Sequence, residues 1–381
     1  MEPTIKRWFK EELNRITRKF DIDLKIKFRI IDNTMPTLHG LLSEFNVLIH
    51  LITFEGGKTA QFRIRQYSDI IKILKNYPKT ELTNPGDIKN FLVSKGKKNP
   101  KKIMIRIEEY INKGYIQDAK DAMTNPQVRA IIELTKIYAI GPSKCKELYE
   151  KHGIVTIDDL RKKFKKDSSI INNKQIIGLT YHEDLEKRIP RAEVDKYNAV
   201  LKNICNEISP NLIMSINGSY RRGLLSSGDI DLLITGPKDQ SEFLRKKLIE
   251  TLKKKGIVKE VLASGKKKFM GIVKLEKHGY NIARHMDIID TAPENYPFAV
   301  LYFTGSGGFN SMMRGVALTK GYSMNEYCLS HKKTKKPIES TLIQEKIGKT
   351  MFETEKDIFR FLDMDYVEPK DRNNITMNKL F

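Results

Sequence analysis

Across 381 residues, 69 Lys and Arg outnumber 47 Asp and Glu, giving a formal charge of +22 and a pI near 9.6. A soluble chain this basic is expected to meet a polyanion. An apolar fraction of 40% supplies material for real cores and excludes wholesale disorder, and the length suggests two or three domains. The best apolar run, Leu41 to Phe54, is interrupted by Glu44, Asn46 and His50, so no membrane span is expected. Three scattered cysteines, Cys145, Cys205 and Cys328, make neither a disulfide framework nor a zinc set, and no apolar signal segment opens the chain. A reducing compartment, nuclear or cytoplasmic, follows. Seven histidines without ligand spacing leave oxygen donors as the expected partners of any metal.

In chain order, Trp8, Phe9, Leu13 and Ile16 lie three to four apart and precede the alternating run DLKIKFRIID, which reads as a helix and then a strand. From Gly40 to about Met123 the pattern is helical, with turns at Gly56-Gly57, Tyr77-Pro78, Asn84-Pro85-Gly86 and Lys95 to Pro100. Short helices continue to Arg188, broken at Ile140-Gly141-Pro142 and His152-Gly153. After Pro190, β-rich runs (LIMSIN, DIDLLIT, FMGIVKL, MDIID) alternate with helical segments, the texture of a mixed α/β region. From Tyr296 come an apolar run read as a strand, YPFAVLYF, a glycine-rich segment with a helix, and a polar tail. No repeats are legible.

The most informative stretch is Asn217 to Thr235, NGSYRRGLLSSGDIDLLIT. A Gly-Ser pair is read as ending one strand, and Asp229 and Asp231 as opening the next, both on one face. Carboxylates about 4 Å apart repel unless a cation lies between them, and Mg²⁺ suits such a pair because it shares its shell with phosphate oxygens and water. Asp287 in HMDIID supplies a third carboxylate for a two-metal site. A bare DxD is commonly a solvated turn. Here Ser219 and Arg222 lie where a loop could wrap a triphosphate, which favours catalysis.

The segment GSYRRG…SSGDIDLLIT resembles the nucleotidyltransferase signature of the family X DNA polymerases, in their polymerase beta-like branch. Further similar segments are IYAIGPSKCKELYEKHGIVTIDDL, YHEDLEKRIPRAE, SGKKKFMGIV, LYFTGSGGFNSMMRGVALTKGYSMNEYCL and TEKDIFRFLDMDYVEPKDR, together covering about Gly40 to Arg372 in the family's order. The resemblance implies an α+β fold with five parts. These are an extension of unknown role (1–38), a helical lyase-like 5′-phosphate-binding domain (39–123) and a helix-hairpin-helix duplex-binding subdomain (124–190), followed by a catalytic palm (191–295) and a nucleotide-selecting subdomain (296–381).

It further implies that Asp229, Asp231 and Asp287 bind two Mg²⁺ ions, with Mn²⁺ able to substitute, Asp287 being nearest the primer 3′-hydroxyl. Arg188, Ser219, Arg222 and Gly228 match triphosphate contacts. Tyr302, Phe303 and Gly305 match a cis-like turn that crowds the ribose 2′ position, Asn310 a base contact, and His285 and Arg314 primer and template contacts. Asn325 and Glu326 would help hold a closed state. Gly141 falls in the hairpin that meets a DNA phosphate, and the carbonyls of Thr135, Ile137 and Ile140 match a site for Na⁺ or K⁺. Lys95, Lys97, Lys98, Lys101, Lys102 and Arg106 add a basic run.

Several positions depart from the family pattern. Lys98, Asn99 and Pro100 replace a glycine-containing loop, and Arg106 stands where a Schiff-base lysine is expected. A guanidinium stays protonated and cannot serve as that amine, so removal of a 5′-deoxyribose phosphate is not expected unless Lys102 substitutes. Arg63, Tyr67 and Lys102 still match 5′-phosphate contacts. His285 and Ile289 replace arginines, which would make primer alignment pH-dependent and alter the open-to-closed switch. Gly307 and Gly308 leave the edge of the nucleotide pocket without a side chain, which points to low fidelity. No BRCT-like pattern precedes position 40, so recruitment through one is not expected.

The resulting expectation is a monomeric, template-directed polymerase that uses dNTPs to fill short gaps in gapped or nicked double-stranded DNA, as in base excision repair. Alternatives are an RNA-end nucleotidyltransferase, a catalytically silent DNA-end-binding protein, and template-independent addition. The last is disfavoured because no long loop separates the strands near FMGIV.

Overall fold

The computed structural model describes residues 35–97 and 100–373, so the helix and strand expected in 1–38, together with Lys98 and Asn99, lie outside the described residues. The chain divides into two compact units after Thr180.

The first unit is helical. Its elements are α1 (Leu38–Glu55), α2 (Ala60–Leu74), α3 (Pro85–Ser94), α4 (Lys101–Lys113), α5 (Gln117–Thr124), α6 (Pro126–Leu134), α7 (Pro142–His152), α8 (Ile157–Lys166) and α9 (Asn173–Thr180). Local chemistry sets the boundaries. Thr37 accepts the Gly40 N–H at the start of α1, and the Asn84 side chain accepts the Gly86 N–H with Pro85 at the first helical position of α3. Gly114 ends α4 in the left-handed region, and Thr156 and Asp159 form a reciprocal capping box on α8. Leu41, Phe45, Leu74, Ile88, Leu92, Ile107 and Tyr110 centre one core, while Ile131, Leu134, Leu148, Leu160 and Leu179 belong to a second.

The second unit opens with α10 (His182–Leu185), β1 (Ile189–Pro190) and α11 (Arg191–Ile208), followed by β2 (Ile213–Ile216), α12 (Gly218–Arg221), β3 (Ser226–Ser227), β4 (Ile230–Thr235) and α13 (Ser241–Lys254). Next come β5 (Val258–Ser264), β6 (Lys268–Leu275), β7 (Tyr280–Asp290), α14 (Tyr296–Thr304), α15 (Gly307–Thr319), the hairpin β8 (Tyr322–Met324) and β9 (Leu329–His331), α16 (Ser340–Ile347) and α17 (Glu355–Phe361). Five strands form a mixed sheet in the order β2-β4-β7-β6-β5, with only β4 and β7 parallel. Alternation along β4 and β7 sends Ile230, Leu232, Ile234, Met286 and Ile288 into a core shared with α11 and α13. Asp231, Leu233, Asp287 and Ile289 therefore point to the opposite face, where Leu233 and Ile289 pack with Ala299 and Val300 of α14.

Three local readings are corrected. The run YPFAVLYF is the helix α14, opened by Pro297; uniformly apolar residues carry no period that separates strand from helix. The Gly218-Ser219 pair does not end β2 but starts the single turn α12, because Gly218 takes φ +56°, a conformation no strand uses. Asp229 precedes β4, which begins at Ile230.

Candidate active site

Parallel pairing of β4 with β7 sets Asp231 opposite Asp287. Asp229 is exposed, Asp231 half-buried and Asp287 buried. Burial, then the neighbouring charges of Asp229 and Asp287, push the Asp231 carboxyl up to about 7, while Lys268 and Arg222 pull against that rise. Asp287 Oδ2 is ion-paired to Lys268 Nζ at 2.7 Å. Its Oδ1 is buried without a hydrogen-bond donor among the described residues, with His285 Nε2 3.7 Å away.

A Cβ at Gly218 would collide with Asp231 Oδ2, so glycine is required there both by its positive φ and by the close approach of the carboxylate. Among the described residues no three His, Cys, Asp or Glu groups already converge as a closed metal cage. The hard oxygen donors, the orphaned Asp287 oxygen and the electrostatic cost of crowding three carboxylates nevertheless fit divalent cations of the Mg²⁺ class.

Beside the carboxylates, Ser219 Oγ donates to Ser227 Oγ at 2.9 Å. Arg188 Nε donates to Ser226 Oγ at 2.9 Å and its Nη2 to the Ser226 carbonyl at 2.5 Å, with Gly228 following Ser227. Arg222 donates to the Thr304 carbonyl at 2.7 Å and to Asn373 Oδ1 at 2.7 Å. Its neighbour Arg221 reaches Thr304 Oγ1 at 2.6 Å and both Glu355 oxygens at 3.0 and 3.1 Å. The two arginines thus tie the loop before β4 to the end of α14.

Thr304 leads into Gly305, whose peptide bond to Ser306 is cis. Tyr302 and Phe303 meet edge to face at 5.1 Å, and Asn310 Nδ2 donates to the Tyr302 carbonyl at 2.7 Å. Arg314 lies over the Tyr302 ring at 5.1 Å and faces Glu326 at 3.8 Å. Asn325 is used locally, its Oδ1 accepting the Tyr327 and Cys328 N–H groups. Gly307 and Gly308 are exposed in the first turn of α15, capped by Ser306.

Several partners were not legible in the sequence. Glu355 accepts from Arg221, from the fully buried Arg372 at 2.8 and 3.3 Å, and from Tyr366 at 2.5 Å. Burial pushes the Glu355 carboxyl up, but the hydrogen bonds and charges of both arginines outweigh it, and the net shift is downward. Arg284 of β7 pairs with Glu193 at 2.6 and 2.7 Å and donates to the Lys187 carbonyl at 2.8 Å, fixing the segment that carries Arg188. Arg245 of α13 pairs with Asp290 and donates to the Gly265 and Lys266 carbonyls. Of these, Ser227 had a signal, its place in SSGD; the ion pairs join residues too distant in sequence to be matched.

In the first unit, Gly141 caps α7 at φ −98°, and the left-handed residue of the hairpin is Ala139 at φ +64°. Gln175 Nε2 holds the Ala139 carbonyl at 3.1 Å. The Ile137 carbonyl accepts the Ile140 N–H at 3.1 Å, and Thr135 Oγ1 donates to the Ile131 carbonyl at 2.6 Å. Arg63 pairs with Glu55 at 3.3 Å, Tyr67 packs edge to face on Phe45, and Lys102 is exposed. Arg106 is held by Glu109 at 3.0 Å and by Asp118. Of the basic run, Lys97 pairs with Asp69 at 3.3 Å and Lys95 lies over Phe91.

Residues 188–293 match the DNA polymerase beta palm, 299–373 the DNA polymerase beta thumb, and 132–186 the fingers domain of DNA polymerase lambda. DNA polymerase lambda of Rattus norvegicus is 30% identical over 251 residues, covering 64% of this chain and 42% of the relative. The protein of that name from Arabidopsis thaliana is 27% identical over 354 residues, covering 89% and 63%. DNA nucleotidylexotransferase of Gallus gallus is 28% identical over 297 residues, covering 70% and 56%. The chain thus spans between about two fifths and just under two thirds of the length of these relatives.

Proposed function

The chain belongs to the family X DNA polymerases, and from that premise we propose that it is a template-directed DNA polymerase filling short gaps in DNA repair. The observation that carries this reading is the pairing of Asp231 with Asp287 across parallel strands, beside the Ser219–Ser227 and Arg222 cradle. Its substrates are gapped or nicked double-stranded DNA and dNTPs, and it acts as a monomer in the nucleus or cytoplasm. Three free cysteines suit a reducing compartment, and no helix among the described residues is long and apolar enough to cross a membrane.

Asp229, Asp231 and Asp287 would hold two Mg²⁺ ions, for which Mn²⁺ can stand in. Bound there, they supply charge neutralisation for the transferring phosphoryl group and ease deprotonation of the primer 3′-hydroxyl. The chain's own work is positioning. Asp287 orients the 3′-hydroxyl in line with the α-phosphorus, and the hydroxyls of Ser219 and Ser227, the Arg222 and Arg188 guanidinia and the backbone at Gly228 receive the triphosphate. The new O–P bond forms as the 3′-hydroxyl proton passes to the Asp287 carboxylate and the bond to pyrophosphate breaks, and pyrophosphate leaves with the charge those groups have neutralised.

Arg222 and Arg188 now donate to protein oxygens, which triphosphate oxygens would replace. Tyr302, Phe303 and Gly305 crowd the sugar 2′ position, Asn310 reads the base edge, and Arg314, held between Tyr302 and Glu326, faces the template. His285 contacts the primer side. In the first unit, Gly141 and the N-terminus of α7 take a DNA phosphate, with Na⁺ or K⁺ at the carbonyls of Thr135, Ile137 and Ile140. Arg63, Tyr67 and Lys102 grip a 5′-phosphate without lyase chemistry at Arg106.

The turn between β5 and β6 is only Gly265 to Lys267, which supports template-directed over template-independent synthesis. The test offers each of the four dNTPs and rNTPs on a one-nucleotide gapped duplex. Insertion of dNTPs over rNTPs, with the templated dNTP preferred, is expected. Ribonucleotide preference revives the RNA-end reading, and tight binding without insertion revives a silent end-binding protein.

A further inference from the structure

The ammonium of Lys268 lies 2.7 Å from Asp287 Oδ2, and none of the roles assigned above uses it. Antiparallel pairing sets Lys268 opposite Ile289 and Met270 opposite Asp287, so Lys268 and Asp287 are diagonal neighbours on one face of the sheet. Ile289 offers the lysine only an apolar side chain, and the lysine leans along the strand to the carboxylate instead.

The approach is built from below. Gly265 N–H donates to the Lys268 carbonyl at 2.8 Å and closes the three-residue turn. Arg245, almost wholly buried, donates to the turn's Gly265 and Lys266 carbonyls at 3.0 and 2.7 Å and is ion-paired to Asp290, the last residue of β7. The Asp290 N–H returns a bond to the Lys267 carbonyl at 3.3 Å. The start of β6 is therefore fixed relative to the end of β7, and Lys268 is delivered to Asp287 rather than left to wander. Its side chain remains 45% exposed, so it can withdraw into water.

We infer that Lys268 is a tethered counter-cation that neutralises the carboxylate cluster in the metal-free protein and competes with divalent metal for Asp287, thereby setting metal affinity. The inference rests on the reading of Asp229, Asp231 and Asp287 as metal ligands. Lys268 is a positioning residue: it touches a carboxylate oxygen, and it must give way for that oxygen to turn to a metal. Removing its charge takes the nearest cation from three crowded carboxylates, a state a divalent cation relieves.

The test measures Mn²⁺ binding to the full DNA-free chain by the electron paramagnetic resonance of free Mn²⁺, in wild type, Lys268→Met, Lys268→Arg and Asp287→Asn. Lys268→Met is expected to bind Mn²⁺ roughly tenfold more tightly than wild type, with Lys268→Arg close to wild type. Lys268→Met should also melt at lower temperature than wild type without Mn²⁺ and regain the difference when Mn²⁺ is added, which loss of packing alone would not produce. Equal or weaker Mn²⁺ binding by Lys268→Met overturns the inference while Asp287→Asn still weakens binding and upholds the metal site. Mn²⁺ binding that Asp287→Asn leaves unchanged overturns that reading and the inference with it.

Discussion

Replacing Glu355 by Gln removes one charge from the most densely bonded carboxylate of the second unit. Glu355 accepts two hydrogen bonds from Arg372, two from Arg221 and one from Tyr366. The Arg372 side chain is 0% exposed and enclosed by Phe309, Phe359 and Tyr366, so its charge has no water to fall back on. Arg221 is 27% exposed, and its share is discounted for screening. Orphaning the buried guanidinium is expected to cost about 3–5 kcal/mol. For a unit of this size that corresponds to a fall in Tm of roughly 6–20 °C.

Urea unfolding followed by circular dichroism measures the loss, and an unchanged slope assigns it to stability rather than compactness. Because folding depresses the Glu355 pKa, its stabilisation is fully present above the ordinary glutamate value of 4.5 and disappears as pH falls through the lower folded value. Glu355→Gln should therefore flatten the acid limb of the stability profile. The double variant Glu355→Gln/Arg372→Met should lose less than the sum of its parts, since it leaves no buried charge unpaired. A loss under about 1 kcal/mol in the single variant, with the acid limb unchanged, would refute the reasoning.

Three further outcomes follow from the same geometry. Gly218→Ala places a Cβ against Asp231 at a positive φ, and is expected to cost about 1–3 kcal/mol and to abolish nucleotide insertion; an active, fully stable variant would show that the two groups are not held together as described. Tyr302→Ala should relax sugar selection by roughly tenfold, read as the ratio of rNTP to dNTP insertion, and an unchanged ratio would remove Tyr302 from the gate. Borohydride treatment with a 5′-deoxyribose phosphate end is expected to trap no adduct, because Arg106 stays protonated between Glu109 and Asp118; an adduct lost in Lys102→Ala would assign the chemistry to Lys102.

The carboxylates were legible because DIDLLIT and MDIID are β-rich runs, each carrying an aspartate among apolar residues, and a parallel pairing of two such strands brings Asp231 to Asp287. The helical unit was legible from its turn residues: Tyr77-Pro78 falls just past the end of α2, and Asn84-Pro85-Gly86 caps and opens α3. Helix α14 was not, since nine residues rich in apolar side chains show no face until Pro297 and the packing against Leu233 decide. The left-handed turn at Ala139 was hidden because glycine is the residue that usually takes it, and Gln175, distant in sequence, secures it here. The ion pairs Arg284–Glu193, Arg245–Asp290 and Lys268–Asp287 were hidden for a related reason: a charged residue shows its sign in the sequence and its partner only in the fold.

The central claim is that Asp287 belongs to the reacting carboxylates. Single-turnover insertion of the templated dNTP into a one-nucleotide gap with a 5′-phosphate, in Mg²⁺, compares wild type with Asp287→Ala, and gel-shift titration of the same DNA checks that the variant still binds. Wild type is expected to insert, and the variant essentially not at all, at equal DNA affinity. Insertion by Asp287→Ala at a rate near wild type would contradict it.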